Sequence, residues 1–205
     1  MANQFIIRKV DPHSKDFMFS DNLWDLAKRN GFWKEEDGDL DFLTTYAPKR
    51  AHSTYCTRRV WRVLDLVAPS LKLPADTDPF ANDYPFSVPV DKQISPADLM
   101  RIQRDHYEGT QYDLTKGLAA GPYADPNRFD GAPQPDDNLT RMDIVQGSYE
   151  RAISLFRTSY SFVAVARSAV PDSLSLLWFA QYAPSSTSYV PLYVGARKAP
   201  PSHMT

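Results

Sequence analysis

The chain has 205 residues, enough to bury one hydrophobic core, and its 42% hydrophobic and 23% charged residues are typical of a globular protein. Its formal net charge of −2 provides no basic field that would attract nucleic acid or an anionic membrane surface. No run of residues approaches the roughly 18 apolar residues that a transmembrane helix requires. The single cysteine, Cys56, excludes an internal disulfide and favours a reducing, cytoplasmic compartment.

The N-terminal part of the chain predicts short elements. Residues 4–10 are β-prone and are ended by an Asp-Pro pair. Ser20 is placed to cap a short helix, and Gly31 stands where the residue just past its C-terminus belongs. A further short element of undetermined type follows at residues 40–46.

Residues 54–68 form the clearest predicted helix. From Val60 onward, valine and leucine recur at i, i+3, i+4 and i+7, which gives one apolar stripe. On a helical wheel Arg58 and Arg62 project away from this stripe toward solvent, whereas Arg59 lies at its border and points along the surface toward a buried pocket. The alternative is that all three arginines are solvated on an amphipathic helix.

A second well-marked helix is predicted to begin after Ser95. A serine cap, Pro96 at the first helical position and Asp98 at the third are three independent start signals. The pattern places His106 on one side of this helix and predicts its end near Gly109.

The C-terminal part of the chain predicts strands. Four β-prone runs occupy residues 148–158, 160–168, 174–183 and 188–195, and their separators are short. Short connections between β-rich runs indicate an antiparallel meander. Helices followed by a meander predict an α+β fold.

Residues 104–129 combine titratable groups, glycines and prolines without an apolar repeat, which is typical of a loop that carries a site. Asp105, Glu108 and Asp113 could supply a carboxylate pair for glycoside cleavage, which requires a defined separation of about 5–9.5 Å. Acids in an arginine-rich neighbourhood are more often structural ion pairs. The sequence leaves both interpretations open.

The sequence supports neither a metal site nor a thiol nucleophile well. The four histidines are scattered singly, without zinc-ligand spacing, and no cofactor motif is present. A reactive thiol needs exposure and a lowered pKa, which nearby arginines could provide for Cys56. Because Cys56 falls near the apolar stripe of its own helix, a buried structural cysteine is the favoured interpretation.

A set of motifs runs in order along the whole chain. Their ranges are residues 3–8, 20–23, 27–31, 57–62, 83–88, 104–110, 113–123, 127–129, 150–163 and 178–184. Together they resemble the cysteine dipeptidases of the N-terminal-nucleophile hydrolase superfamily, a family that includes dipeptidase A and the secernins. No cofactor is implied by this resemblance.

The resemblance implies an αββα sandwich of antiparallel sheets that hydrolyses the peptide bond of dipeptides. The nucleophile of such enzymes is a cysteine at the mature N-terminus, and its own α-amino group serves as the base. The matching motifs assign Asn3 to the oxyanion hole and Arg59 to stabilising the thiolate or binding the dipeptide carboxylate. Asp105 and Glu108 are candidates for pairing with the dipeptide's ammonium group.

The sequence departs from this pattern at its start. Residue 1 is Met1, and no cysteine occurs before Cys56, which has no free amine. We therefore expect residues 1–205 to be a single partial domain, the central part of a longer dipeptidase, inactive alone and self-associating through uncovered apolar faces. The alternative is a non-catalytic, secernin-like interaction or regulatory protein.

Overall fold

The computed structural model describes residues 7–47, 54–75, 84–127, 151–198 and 201. The chain divides into two compact units. The described residues of the first unit lie between positions 7 and 89, and those of the second unit lie between positions 90 and 201. Within the described residues, no helix has the length and apolar character needed to cross a bilayer.

The first unit begins with helix α1, Leu23–Arg29. Its predicted end is confirmed: Gly31 has a φ of 68° and donates to the Lys28 carbonyl, and the next residue donates to the Ala27 carbonyl. Its predicted cap is wrong, because Asn22 occupies the cap position and makes no side-chain cap bond. Ser20 instead contributes its carbonyl, which accepts from the Leu23 N–H.

Helix α2, Phe42–Tyr46, is the short element after α1. Asp41 caps it by accepting from the Thr44 N–H and also forms an ion pair with Arg8 at 2.7 Å. Of the β-prone run at residues 4–10, only residues 7–10 are described. Among these, Lys9 forms an isolated antiparallel bridge with Asp41 and no longer strand is present.

Helix α3, Thr54–Val67, confirms the clearest helix of the sequence. The prediction that Arg58 and Arg62 face solvent is wrong, because they are only 3% and 6% exposed. Trp61 is also buried and donates its indole N–H to the Leu73 carbonyl. The helix is therefore packed on its polar side as well as on its apolar stripe, which a helical wheel cannot reveal.

The second unit begins with helix α4, Pro96–Gln103, followed by a single helical turn, α5, at Gly117–Ala120. The start of α4 is confirmed as a complete capping box: Ser95 accepts from the Asp98 N–H, and Asp98 accepts from the Ser95 N–H. Its predicted end near Gly109 is wrong. His106 lies three residues beyond the last helical residue.

The sheet of the second unit is an antiparallel meander of β1 (Tyr160–Val165), β2 (Leu176–Gln181) and β3 (Val190–Tyr193), in that order. Three of the four predicted β runs are thus strands, whereas the described part of the first, residues 151–158, is not. Helix α4 packs against β1. Mixed helices with a small antiparallel sheet agree with the predicted α+β class.

The two faces of this sheet differ in burial. Ser161 and Val163 are buried on one face, whereas Tyr160 and Phe162 on the other are 59% and 50% exposed. Tyr160 stacks on Phe179 of β2 with ring centroids 6.0 Å apart. The second face is therefore apolar and largely uncovered by the described residues.

Candidate functional site

Arg59 lies in the first unit, on α3, and is 7% exposed. Its charge acts on Cys56, one turn earlier in the same helix. Burial raises the pKa of the Cys56 thiol, and the Arg59 guanidinium offsets this only in part. Cys56 itself is 1% exposed, which confirms the interpretation of a buried cysteine. A buried thiol with a raised pKa is unsuited to nucleophilic attack.

Asp105 and Glu108 lie on one loop of the second unit, directly after α4. Asp105 is 8% exposed, and its Oδ1 accepts from the Tyr107 N–H at 2.9 Å. The Glu108 side chain is 47% exposed, and its Oε2 accepts from the His106 N–H at 2.6 Å. The structure therefore brings these two acids into one loop. Asn3, the remaining candidate, lies outside the described residues.

Asp113 organises this loop, a role that sequence reasoning did not identify. Its Oδ1 accepts from the Thr115 N–H and hydroxyl at 3.0 and 2.6 Å. Its Oδ2 accepts from the Gly109 N–H at 3.1 Å and lies 3.2 Å from the Lys116 ammonium. The side chain is only 5% exposed. The sequence signal was present in the Asp-x-Thr spacing, which favours such side-chain-to-backbone bonds.

The ionisation of Asp113 follows from these contacts. Burial by itself raises the pKa of Asp113, but the hydrogen bonds from Thr115, Gly109 and Lys116 outweigh it and lower the pKa to about 2. Asp113 is therefore a permanent carboxylate at neutral pH and cannot act as a general acid. Of the three acids proposed for glycoside cleavage, this one is unavailable as the proton donor.

Replacing Asp113 by alanine is expected to lower the free energy of unfolding by about 3 kcal/mol, because the half-buried N–H and hydroxyl of Thr115 and the Gly109 N–H lose their acceptor. A carboxylate with a lowered folded-state pKa stabilises the protein above its unfolded pKa, near 4. That stabilisation, about 2 kcal/mol, is lost as the pH falls from about 4 through 2. Urea unfolding of the wild type and variant between pH 2 and 7 measures both effects.

The exposed Asp172 in the same unit is the matched control, and Asp172→Ala should change the free energy of unfolding at pH 7 by no more than about 0.5 kcal/mol. Equal stability of Asp113→Ala and wild type at pH 7 would contradict the organising role of this carboxylate.

His106 is a second residue of this loop that sequence reasoning misplaced. Its side chain is 4% exposed, and Nδ1 lies 3.3 Å from Glu108 Oε1. Within the part of the chain that the structure describes, Nε2 is buried without a hydrogen-bond partner. Glu108 thus holds both the backbone and the ring of His106, which fixes the direction of its own carboxylate.

The described residues contain no group of three histidine, cysteine or acidic side chains that could hold a metal ion.

Comparison with known proteins gives independent evidence on the family of the chain. Residues 1–205 match the sequence profile described as "Peptidase family C69". The chain is 30% identical over 206 residues to a "Probable dipeptidase" of Salmonella dublin, covering 98% of this chain and 40% of that protein. It is 26% identical over 200 residues to a "Probable dipeptidase" of Latilactobacillus sakei, covering 95% of this chain and 36% of that protein.

The chain thus spans about two fifths of the length of these curated relatives. The match to the family covers every motif on which the resemblance rested, including the α3 arginines and the loop after α4. This chain belongs to peptidase family C69.

Proposed function

We propose that the protein carrying this chain hydrolyses the peptide bond of dipeptides through a cysteine nucleophile. The observation that carries the proposal is the match to peptidase family C69 over all 205 residues. The names of the two relatives, both probable dipeptidases, point to the same substrate class and favour an enzyme over a non-catalytic interaction protein. The single free thiol also fits a reducing, cytoplasmic location.

The nucleophile in this proposal comes from outside these 205 residues. Cys56 is the only cysteine of the sequence, and its burial and raised pKa make it a poor nucleophile. A cysteine at a mature N-terminus has the α-amino group needed as a base. That amine takes the thiol proton, and the thiolate attacks the carbonyl carbon. As the C–N bond breaks, the α-ammonium group returns this proton to the leaving amine, which leaves a thioester. Water then hydrolyses the thioester.

Arg59 and Asn3 are the catalytic residues that this chain contributes. A largely buried guanidinium such as that of Arg59 interacts with charge more strongly than an exposed one, because little water screens it. It stabilises the thiolate or binds the dipeptide carboxylate through two parallel hydrogen bonds. Asn3 donates its side-chain N–H to the oxyanion that develops on the attacked carbonyl.

Asp105 and Glu108 are proposed to pair with the ammonium group of the dipeptide. Glu108 is the more accessible of the two, because nearly half of its side chain is exposed. Asp105 is largely buried and already accepts a backbone N–H, so it acts mainly by shaping the loop that presents Glu108. In this arrangement the buried Asp105 fixes the loop and the exposed Glu108 contacts the ammonium, which is compatible with binding a single cation.

The proposed fold is the αββα sandwich of N-terminal-nucleophile hydrolases. The uncovered face of the β1–β3 sheet, with Tyr160 and Phe162 half exposed, supports this proposal, since a second sheet would bury it. An experimental structure of the intact protein tests it directly: a solvated face at Phe162 contradicts the sandwich.

The proposed mechanism predicts different outcomes for two thiols. Cys56→Ser in the intact protein should keep dipeptide hydrolysis within about twofold of wild type, because Cys56 takes no part in the chemistry. Iodoacetamide should abolish hydrolysis by the wild type and by Cys56→Ser equally, because the alkylated nucleophile is another cysteine. The rate of amino-acid release from a dipeptide, before and after alkylation, measures both.

Activity that survives alkylation rules out a cysteine mechanism. Loss of activity in Cys56→Ser, with an unchanged thermal unfolding midpoint, would show that Cys56 itself is the required thiol. Serine is the matched replacement because it preserves size and differs in one atom.

A further inference from the structure

The second unit contains an open groove beside α4 with a volume of about 540 Å³. This volume falls in the range of small-molecule sites. Its floor and walls are largely apolar and come from α4, from the end of β1, from β2 and from the residues that lead into β3. The apolar lining includes Ala97, Met100, Val165 and Trp178.

The groove is held in shape by hydrogen bonds that span the unit. Arg104 donates from Nε to the Pro184 carbonyl at 2.8 Å and from Nη2 to the Thr187 carbonyl at 2.9 Å. Its guanidinium also lies over the ring of Tyr189, 5.0 Å from the centroid. The Tyr189 hydroxyl donates to Gln103 Oε1 and accepts from a serine hydroxyl of β1. A preformed wall of this kind lowers the conformational entropy that the protein's side chains must lose when a ligand binds.

The charges that line the groove are all positive. Arg104 and Arg167 line it, and no acidic side chain does so among its described residues. Asp98, the nearby acid of α4, is engaged by Ser95 and Arg101. Within the described chain, neither Arg104 nor Arg167 forms an ion pair, and Nη1 of Arg104 has no hydrogen-bond partner. An apolar cleft bearing unneutralised guanidinium groups is complementary to an anion with an apolar body.

We propose that this groove binds a small carboxylate with an aromatic or branched apolar body and no positive charge. The body lies against Trp178 and Met100, and the carboxylate is shared by Arg104 and Arg167. The absence of an acidic partner disfavours free amino acids and dipeptides, whose ammonium group would be left uncompensated. The groove lies wholly within the second unit, so the proposal stands independently of the dipeptidase mechanism.

The test uses the intact protein and three probes of equal shape: 3-phenylpropionate, the neutral 3-phenylpropanamide and the cationic 3-phenylpropylamine. Isothermal titration calorimetry should give saturable binding of the carboxylate with a Kd of about 1 mM, as expected for a ligand of this size. The amine should bind at least tenfold more weakly, because it meets positive charge. The amide should bind between the two.

Three variants locate the binding. Ala97→Phe places a ring in the groove from an exposed helix position and should weaken carboxylate binding at least tenfold. Arg167→Gln should weaken carboxylate binding about threefold to fivefold, because an ion pair with one exposed arginine contributes little to affinity. Arg197→Gln removes an exposed arginine that does not line the groove and should change nothing.

Thermal unfolding of each variant checks that the fold is retained. The proposal is overturned if the carboxylate and amine bind equally, or if Ala97→Phe folds and binds the carboxylate as well as wild type. Absence of saturable binding to the intact protein overturns it as well.

Discussion

Replacing Asn3 by alanine in the intact protein is expected to lower kcat for dipeptide hydrolysis by about 10²- to 10³-fold. The proposed role of Asn3 is to donate one N–H to the oxyanion, and removing one such donor typically raises the barrier by about 3–4 kcal/mol. The effect should fall on kcat rather than KM, because the bond strengthens only as negative charge develops on the oxygen. Steady-state kinetics with a single dipeptide separates the two parameters.

Gln4, the neighbouring amide, provides the matched control for Asn3. Gln4→Ala should leave kcat within a fewfold of wild type, since no role in the chemistry is assigned to it. An Asn3→Ala enzyme with kcat within tenfold of wild type would falsify the oxyanion role. A change confined to KM would instead assign Asn3 to ground-state binding of the substrate.

Replacing Arg59 by glutamine is expected to lower kcat/KM by about 10- to 10²-fold, the loss of a charge-assisted hydrogen bond in a poorly screened site. The distribution of this loss distinguishes its two proposed roles. If Arg59 binds the dipeptide carboxylate, KM should rise. If it stabilises the thiolate, kcat should fall and the pH at which activity is half-maximal should move upward.

Arg59→Lys tests the fork geometry of the guanidinium because it keeps the charge and removes the second parallel hydrogen bond. If Arg59 stabilises the thiolate, the lysine variant should have a kcat close to that of wild type. If Arg59 binds the dipeptide carboxylate, its KM should stay nearly as high as that of Arg59→Gln. Arg29→Gln, at an exposed position on α1, is the matched control. Unchanged kinetics in a folded Arg59→Gln enzyme would remove Arg59 from the site.

The sequence predicted correctly those elements that are stabilised by interactions between residues close together in the chain. The start of α4 lies in four consecutive residues, Ser95 to Asp98, and every bond of its capping box is made within them. The left-handed Gly31 after α1 is a similar case. The meander was recognisable because β1, β2 and β3 follow one another through short connections.

The end of α4 could not be predicted from local signals, because acidic side chains in the following loop accept the backbone N–H groups that a longer helix would need. Asp105 takes the Tyr107 N–H and Glu108 takes the His106 N–H, so these donors are unavailable to continue the helix. The described part of the β-prone run at residues 148–158, residues 151–158, forms no strand for a related reason. Ser154 donates its N–H to the Asp105 carbonyl, so part of this run serves the loop and not a strand partner.

The burial of the arginines on α3 could not be predicted from the sequence. The helical wheel places Arg59 at the edge of the apolar stripe, but its 7% exposure does not distinguish it from Arg58 at 3% and Arg62 at 6%. The burial of Arg58 and Arg62 depends on what packs against the other side of α3, which is information from distant parts of the chain. The low pKa of Asp113 depends on four donors, of which only the two from Thr115 follow from the Asp-x-Thr spacing; the others come from Gly109 and Lys116.

The side chain of Tyr107 determines the backbone path of the loop after α4. Tyr107 has a φ of 66°, a left-handed conformation that costs an ordinary residue about 1–2 kcal/mol, yet its side chain is fully buried and donates to the Arg151 carbonyl. Glycine would remove the strain but would sacrifice about 3–5 kcal/mol of aromatic burial. An exposed residue of the same loop, such as Gln111, can therefore be exchanged without changing the path that Tyr107 sets for the backbone.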